Sequence, residues 1–260
     1  MSSTSALFRK EFVEQWRTSK IFIMAAAFFV LGMSGPITTK FLPDLIKNSA
    51  NSSGLQITVT KTFTAADYLL SFFNQMNSLP ILVLILVAMG TIAGERERGT
   101  HIFVLTKPVS RTQFIVIKFL TYLAVLTGVV LLTAAGALYY TLLLSDSGQV
   151  LLGPFALITL SMFSYMSLIL AIVIFFSSLF KSAIAAGGAS FLVYVVISIV
   201  TGLLPDNIRN YLPMSFQLKG LERLSGLQDS SPLIIQTLVG LALAAVVIVV
   251  ACVVAEKREM

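Results

Sequence analysis

"SSPLIIQTLVGLALAAVVIVVACVVA", residues 230–255, contains no charged side chain. A helix rises about 1.5 Å per residue, and roughly 20 residues cross a hydrocarbon core of about 30 Å, so this run is long enough to span a membrane. It does not alternate apolar and polar positions as a barrel strand must, which favours a helix. Five further uncharged windows of comparable character lie upstream. With their flanks, the six spans are predicted at 21–39, 68–94, 112–145, 154–180, 182–205 and 232–255. The fourth begins at Pro154, where a proline suits a helix's first turn. The first ends near "SGP", residues 34–36.

Composition points the same way. Of 260 residues, 57% are hydrophobic and 12% charged, whereas about a quarter of the residues in a soluble domain are charged. A soluble core of six all-round apolar helices would leave nothing to clothe their outer faces. The fold class is therefore an all-α polytopic membrane protein, a single transmembrane domain over residues 1–260. The lone cysteine, Cys252, excludes disulfides within the chain and cysteine metal clusters.

Six spans put both ends on one side. Twelve of the eighteen Lys and Arg fall in the segments on that side, while the acidic residues divide evenly. By the positive-inside rule both termini are cytoplasmic, and the basic balance reports topology and anionic lipid rather than nucleic acid. A charged head with Glu11 and Glu14 precedes the first apolar run, so that run is expected to stay as an anchor in a prokaryotic cytoplasmic membrane.

Residues 1–20 read as an amphipathic interfacial helix. Phe8, Phe12 and Trp16 form one stripe, with Lys10, Glu14 and Arg17 opposite, a pattern suited to lying in the headgroup boundary. Residues 39–67 are expected to be a polar outer loop, with a flexible turn at "KNSANSSG" and a short strand at "LQITVTKTF". The segment 206–231 mixes apolar, charged and proline residues and predicts short helices at or dipping into the outer interface.

Catalytic and ion-pathway chemistry is missing from the spans. Charges there cost roughly 2.5 to 3.5 kcal/mol each on insertion scales, so those retained usually mark a pathway. Lys118 lies close enough to the inner face to snorkel. There is no glycine-rich phosphate loop or two-histidine metal motif, and the single histidine, His101, has no partner histidine. No cofactor is expected on the chain itself, and no enzymatic activity. The small residues "AAGGA", 185–189, suit close helix packing.

The polar exception is "GERERGTHIFVLTKPVSR", residues 94–111, which holds six of the thirty formal charges. Helix is expected to run past the second span to Gly99, where a missing Cβ favours a break. "THIFVLTK" predicts a cross-helix ending before Pro108, and "SRTQ", residues 110–113, is a capping box that starts the third span. Apolar Ile102 and Phe103 have no place in a merely solvating loop, so the cassette reads as a docking surface.

At "GERERGT", "LTKPVSR" and Lys118 the chain resembles the type-two family of ABC transporter permeases, the export-type membrane subunits. "FSSLFKSAIAA", residues 176–186, is similar to that family's turn between spans four and five. The head resembles its connecting helix, and segment 206–231 its re-entrant helices. The resemblance implies two permease copies, identical or related, bound to two cytoplasmic ATPases that carry ATP and magnesium. It further implies that residues 95–111 are the coupling helix, with Glu95, Arg96, Glu97, Arg98, Gly99, Thr100, His101, Ile102 and Phe103 as the contacts. Stiff second and third spans would then carry ATPase motion outward and drive export.

Solute-facing candidates are Tyr68, Phe72, Phe73, Asn74, Gln75 and Asn77 in the outer half of span two, near a kink expected at Pro80. An uncharged, aromatic lining suits an amphiphile such as a lipid, peptide or drug-like molecule. Three other functions stay open at this stage: an energy-independent channel or carrier, a scaffold recruiting a cytoplasmic protein, and a mechanical transmitter to an extracytoplasmic partner.

Overall fold

The computed structural model describes residues 3–52, 63–97, 99, 110–144, 151–217, 219–226 and 231–257. Among them there is helix and no strand. Six helical segments are long and apolar enough to cross a membrane: Lys20–Pro43, Ala65–Glu97, Arg111–Leu144, Leu152–Leu179, Ala183–Leu203 and Ser231–Lys257. A separate helix, Ser3–Arg17, precedes them.

Span four is the central post. Within its most apolar window 78% is buried inside the chain, against 17% for span five. Its closest partner is span six, and the seam between them is hydroxyl-rich. Ser161 Oγ donates to the Leu233 carbonyl at 2.9 Å and shares a hydrogen bond with the Thr237 hydroxyl, while Ser164 Oγ donates to the Thr237 carbonyl at 2.7 Å. In hydrocarbon, where apolar side chains gain nothing by leaving lipid, small residues and such bonds are what hold helices together.

Span one differs from expectation. Its helix does not stop at the Gly35–Pro36 pair but continues as Lys20–Ser52 through Pro36 and Pro43, so "KNSANS" is helical. A proline removes one ladder donor, and neighbouring helices make this tolerable within a membrane protein. The neighbour here is span two. A Cβ on Gly35 would come within 2.5 Å of the Ser71 carbonyl oxygen, and one on Gly32 within 2.1 Å of Met76 Cε, so the bare backbone of span one rests against span two. Thr39 Oγ1 then bonds Ser71 Oγ at 2.6 Å across the contact. The expected strand lies almost wholly outside the described residues.

Span two is jointed. It comprises Ala65–Met76, Leu79–Ala88 and Ala93–Glu97. The first interruption, at Asn77–Ser78, comes just before Pro80, whose ring cannot follow an uninterrupted helical turn. Spans five and six are linked by Asp206–Arg209, a 3-10 turn Pro213–Ser215 and Gly220–Leu224. Phe216 of this connection packs between Phe73 and Tyr165, with ring centroids 6.4 and 6.2 Å away. Gln236 Nε2 ties span six to it by donating to the Asn210 carbonyl at 2.6 Å.

Candidate functional site

The end of the bundle that bears both termini carries the polar machinery. Ser110 opens span three as its capping residue: Gln113 N–H donates to Ser110 Oγ at 3.2 Å, and the Gln113 side-chain carbonyl accepts the Ser110 N–H at 3.4 Å. This reciprocal pair is the capping box legible in "SRTQ". Nearby, Thr112 Oγ1 donates to Glu256 Oε1, fastening the start of span three to the end of span six.

Of the cassette's candidate contacts, Glu95, Arg96, Glu97 and Gly99 are described; Arg98, Thr100, His101, Ile102 and Phe103 lie outside the described residues, as does the predicted cross-helix. The described helix reaches Glu97, and Gly99 takes φ +71° with its N–H on the Arg96 carbonyl at 3.1 Å. That left-handed backbone is one that L side chains rarely adopt.

Two turns into span three, Lys118 is only 2% exposed. Its ammonium donates to Glu11 Oε2 at 2.8 Å and to Glu95 Oε1 at 2.7 Å, and lies 4.8 Å from the centre of the Phe114 ring. The expected snorkelling does not occur; the carboxylates come to the lysine instead. One cation thereby joins the N-terminal helix, the first residues of the cassette, and span three. Lys10 completes the group at the rim, 3.1 Å from Glu11 and 3.4 Å from Glu14. Burial works against ionising Glu11, but Lys118 and Lys10 outweigh it and hold its carboxyl below the usual glutamate value. Carboxylate oxygens of Glu11, Glu14 and Glu95 lie within 4.8 Å of one another, a spacing that would suit a cation, and the two ammonium groups already offset two of the three charges.

The N-terminal helix shows why Glu11 reaches so far. Leu7, Glu11 and Gln15, each one turn from the next, are buried, while Phe8, Phe12 and Trp16 are exposed on the adjacent face. The aromatic stripe is visible in the sequence. The buried stripe beside it was missed, because a Glu and a Gln on an inward face carry no apolar signal.

A second feature was also missed. Between Ala88 and Ala93 the ladder of span two is broken, and the hydroxyl of Ser177 in span four fills the gap. It donates to the Met89 carbonyl at 2.8 Å and accepts the N–H groups of Ile92 and Ala93, both at 3.0 Å. Thr91 Oγ1 takes the Ala88 carbonyl. An inserted side chain is a recognised cause of a helix kink. Gly187 of "AAGGA" permits close packing at this level, since a Cβ there would lie 2.6 Å from Met89 Sδ.

The six pathway candidates separate. Tyr68, Phe72 and Phe73 are buried, and the Phe73 ring lies tilted against Phe155 with centroids 5.8 Å apart. Asn74 is exposed, and Gln75 and Asn77 are half-buried. Asn77 sits at the first interruption, where its carbonyl accepts the Tyr194 hydroxyl of span five at 3.2 Å.

Residues 5–259 match the family model described as "ABC-2 family transporter protein". The chain belongs to the ABC-2 transporter family. It is also similar to an uncharacterized transmembrane protein, YxlG, of Bacillus subtilis (strain 168), with 26% identity over 219 residues covering 82% of this chain and 81% of that one. As an ABC-2 membrane component the chain is an integral multi-pass protein of a class that is generally non-catalytic and works with an ATPase subunit. The resemblance carried by the cassette thus extends to the whole chain.

Proposed function

We propose that this chain is the permease subunit of an ATP-driven exporter, coupling closure of separate cytoplasmic ATPase subunits to outward movement of an amphiphilic solute. Two ATPase copies, holding ATP and magnesium, would engage two permease copies. The termini-bearing end faces the cytoplasm in this reading, because it carries the excess of Lys and Arg.

The observation that carries the proposal is the Lys118 cluster. A connection that merely returned the chain to the membrane would not need its first turn locked by a buried ammonium shared with another helix. Desolvating those charges is costly, and the arrangement persists only where geometry compensates. What it achieves is a fixed orientation for Glu95 and the helical turn that carries it, Ala93–Glu97, at the point where the chain leaves the membrane. Arg96, Glu97 and Arg98 then offer charge-assisted hydrogen bonds to an ATPase groove, and Ile102 and Phe103 apolar anchors, while the Glu95 carboxylate is committed to Lys118.

The test is co-purification of the tagged full chain with a candidate ATPase from the same cell. The expected result is an ATPase retained by the wild type and lost when residues 95–103 are replaced by a Gly-Ser linker, with membrane expression unchanged. Retention by the linker variant would refute the cassette's role. A cytoplasmic partner without a nucleotide-binding motif would favour the scaffold reading instead.

A further inference from the structure

Span four, span six and the connection between spans five and six meet at one crossing, nine residues into span six and so about 14 Å along it from Ser231. There the Pro213 ring stands 3.1 Å from where a Cβ on Gly240 would be, and Ser164 bonds to the Thr237 carbonyl. Within one turn of that crossing, each of the three elements contributes a polar side chain with a buried hydrogen-bonding atom that meets no partner among the described residues. They are the Tyr165 hydroxyl of span four, the Ser215 hydroxyl of the connection and the side-chain carbonyl of Gln236 in span six. The three residues are 1%, 3% and 0% exposed. Nearby hydroxyls fare differently, since Ser161, Ser164 and Thr237 are all satisfied by the protein itself. A buried polar group without a partner lowers stability, and buried polar groups are ordinarily paired, so three at one level call for a physical reason.

The same atoms define what would complete them. Gln236 Nε2 is taken by the Asn210 carbonyl, which leaves that amide only its oxygen, an acceptor that cannot donate. The two hydroxyls can do both. None of the three is charged, so the matching group is neutral and carries at least one donor, as a hydroxyl or an amide does. Beside them lies an apolar wall: the ring of Phe216, next to Ser215, is 6.2 Å from Tyr165 and 6.4 Å from Phe73, which in turn meets Phe155 at 5.8 Å. We propose that Tyr165, Ser215 and Gln236 form the polar end of a binding site for an amphiphile with a neutral hydroxyl or amide head, whose apolar tail takes the place that Phe216 fills against Phe73 and Tyr165. Phe216 is then the protein's own plug. Its packing holds the closed arrangement, the unpaired polar atoms oppose that arrangement, and the amphiphile supplies both the apolar filling and the missing hydrogen bonds. That this amphiphile is the exported solute rests on the exporter reading above, but the site does not.

The experiment uses the full chain in lipid nanodiscs and, as probe, monooleoylglycerol carrying a diazirine in its acyl chain, with photolabelled residues mapped by mass spectrometry. The expected result is labelling around Phe73, Phe155 and Tyr165 that unlabelled monooleoylglycerol competes away at lower concentration than methyl oleate, which has the same chain and no donor. Tyr165→Phe keeps the shape and removes only the unpaired hydroxyl. It is expected to raise the competing concentration of monooleoylglycerol about fivefold, the usual scale for one lost hydrogen bond, while the melting temperature without probe stays equal or rises. Ser215→Ala adds to that loss, and Phe216→Ala strengthens labelling by removing the plug. Labelling and competition indifferent to Tyr165→Phe combined with Ser215→Ala, methyl oleate competing as well as monooleoylglycerol, or a melting temperature lowered by Tyr165→Phe each overturns the proposal. Should Phe216→Ala fail to fold, the two hydroxyl variants still decide. No ATPase is present, so failure to recover one would count against the exporter reading alone, and a chain that retains an ATPase but shows no Tyr165-dependent labelling would lose this site alone.

Discussion

A Cβ atom on Gly240 would lie 2.2 Å from the hydroxyl oxygen of Ser164 and 3.1 Å from the Pro213 ring, so spans four and six and the connection before span six converge where only glycine fits. Ser164 has little room to yield, because its hydroxyl is committed to the Thr237 carbonyl. Gly240→Ala is expected to destabilise the chain by about 1 to 3 kcal/mol, the usual cost of overpacking. Unfolding in mixed detergent micelles would show this, and Ser164→Gly in the same chain should recover part of the loss.

The two glycines of span one should differ. At Gly35 the obstacle to a methyl group is backbone, the Ser71 carbonyl; at Gly32 it is chiefly the flexible end of Met76. Gly35→Ala is therefore expected to lower the melting temperature more than Gly32→Ala. Equal losses would mean that the contact between spans one and two is not fixed by that backbone approach.

Removing one member of the ion cluster should be worse than removing all three charges. Lys118→Met alone takes the shared ammonium from two carboxylates and leaves Glu11 only Lys10 at the rim; breaking a buried pair from one side typically costs about 3 to 5 kcal/mol, whereas an apolar or neutral replacement of a whole cluster is often nearly free. Equilibrium unfolding of the single and triple variants checks the order. A single variant as stable as the triple would show that the cluster is wetter than its burial implies.

The same cluster sets a pH response. The Glu11 carboxyl is held below its usual value, despite burial, by Lys118 and Lys10, with Glu95 and Glu14 the other charges facing it. A depressed folded-state value means that the contribution to stability is complete above the unfolded value of about 4.3 and is lost as pH falls through the folded one. Melting temperatures between pH 7 and pH 3 should drop less steeply for Glu11→Gln than for the parent, starting from a lower value at neutral pH. Parallel curves would deny Glu11 this role.

What could be read from the sequence, and what could not, follows the range of the interactions. Six spans are visible because absence of charge over some twenty residues is a local property, and the Ser110–Gln113 cap because its partners are three residues apart. The partners of Lys118 are not local: Glu11 lies 107 positions away and Glu95 lies 23. Ser177 was hidden for a different reason. Ser167 and Ser190, in comparable apolar runs, bond back to their own helices, and nothing in the local pattern separates them from Ser161, Ser164 and Ser177, which reach across to another. Pro36 misled in the opposite sense, since it ends helices in water but is accommodated where Gly32 and Gly35 let a neighbouring span close in.

Among the described residues of this single chain span five has few neighbours to hold it, and at 21 residues it is about 31 Å long, close to the thickness of an average hydrocarbon layer. Its lean is then governed by lipid more than by the fold. A thicker or thinner membrane would reorient this helix before any other, dragging the Tyr194 hydroxyl against the Asn77 carbonyl at the upper joint of span two. The host's fatty acids are in that sense a structural component, and changing their chain length is a means of strain that requires no mutation.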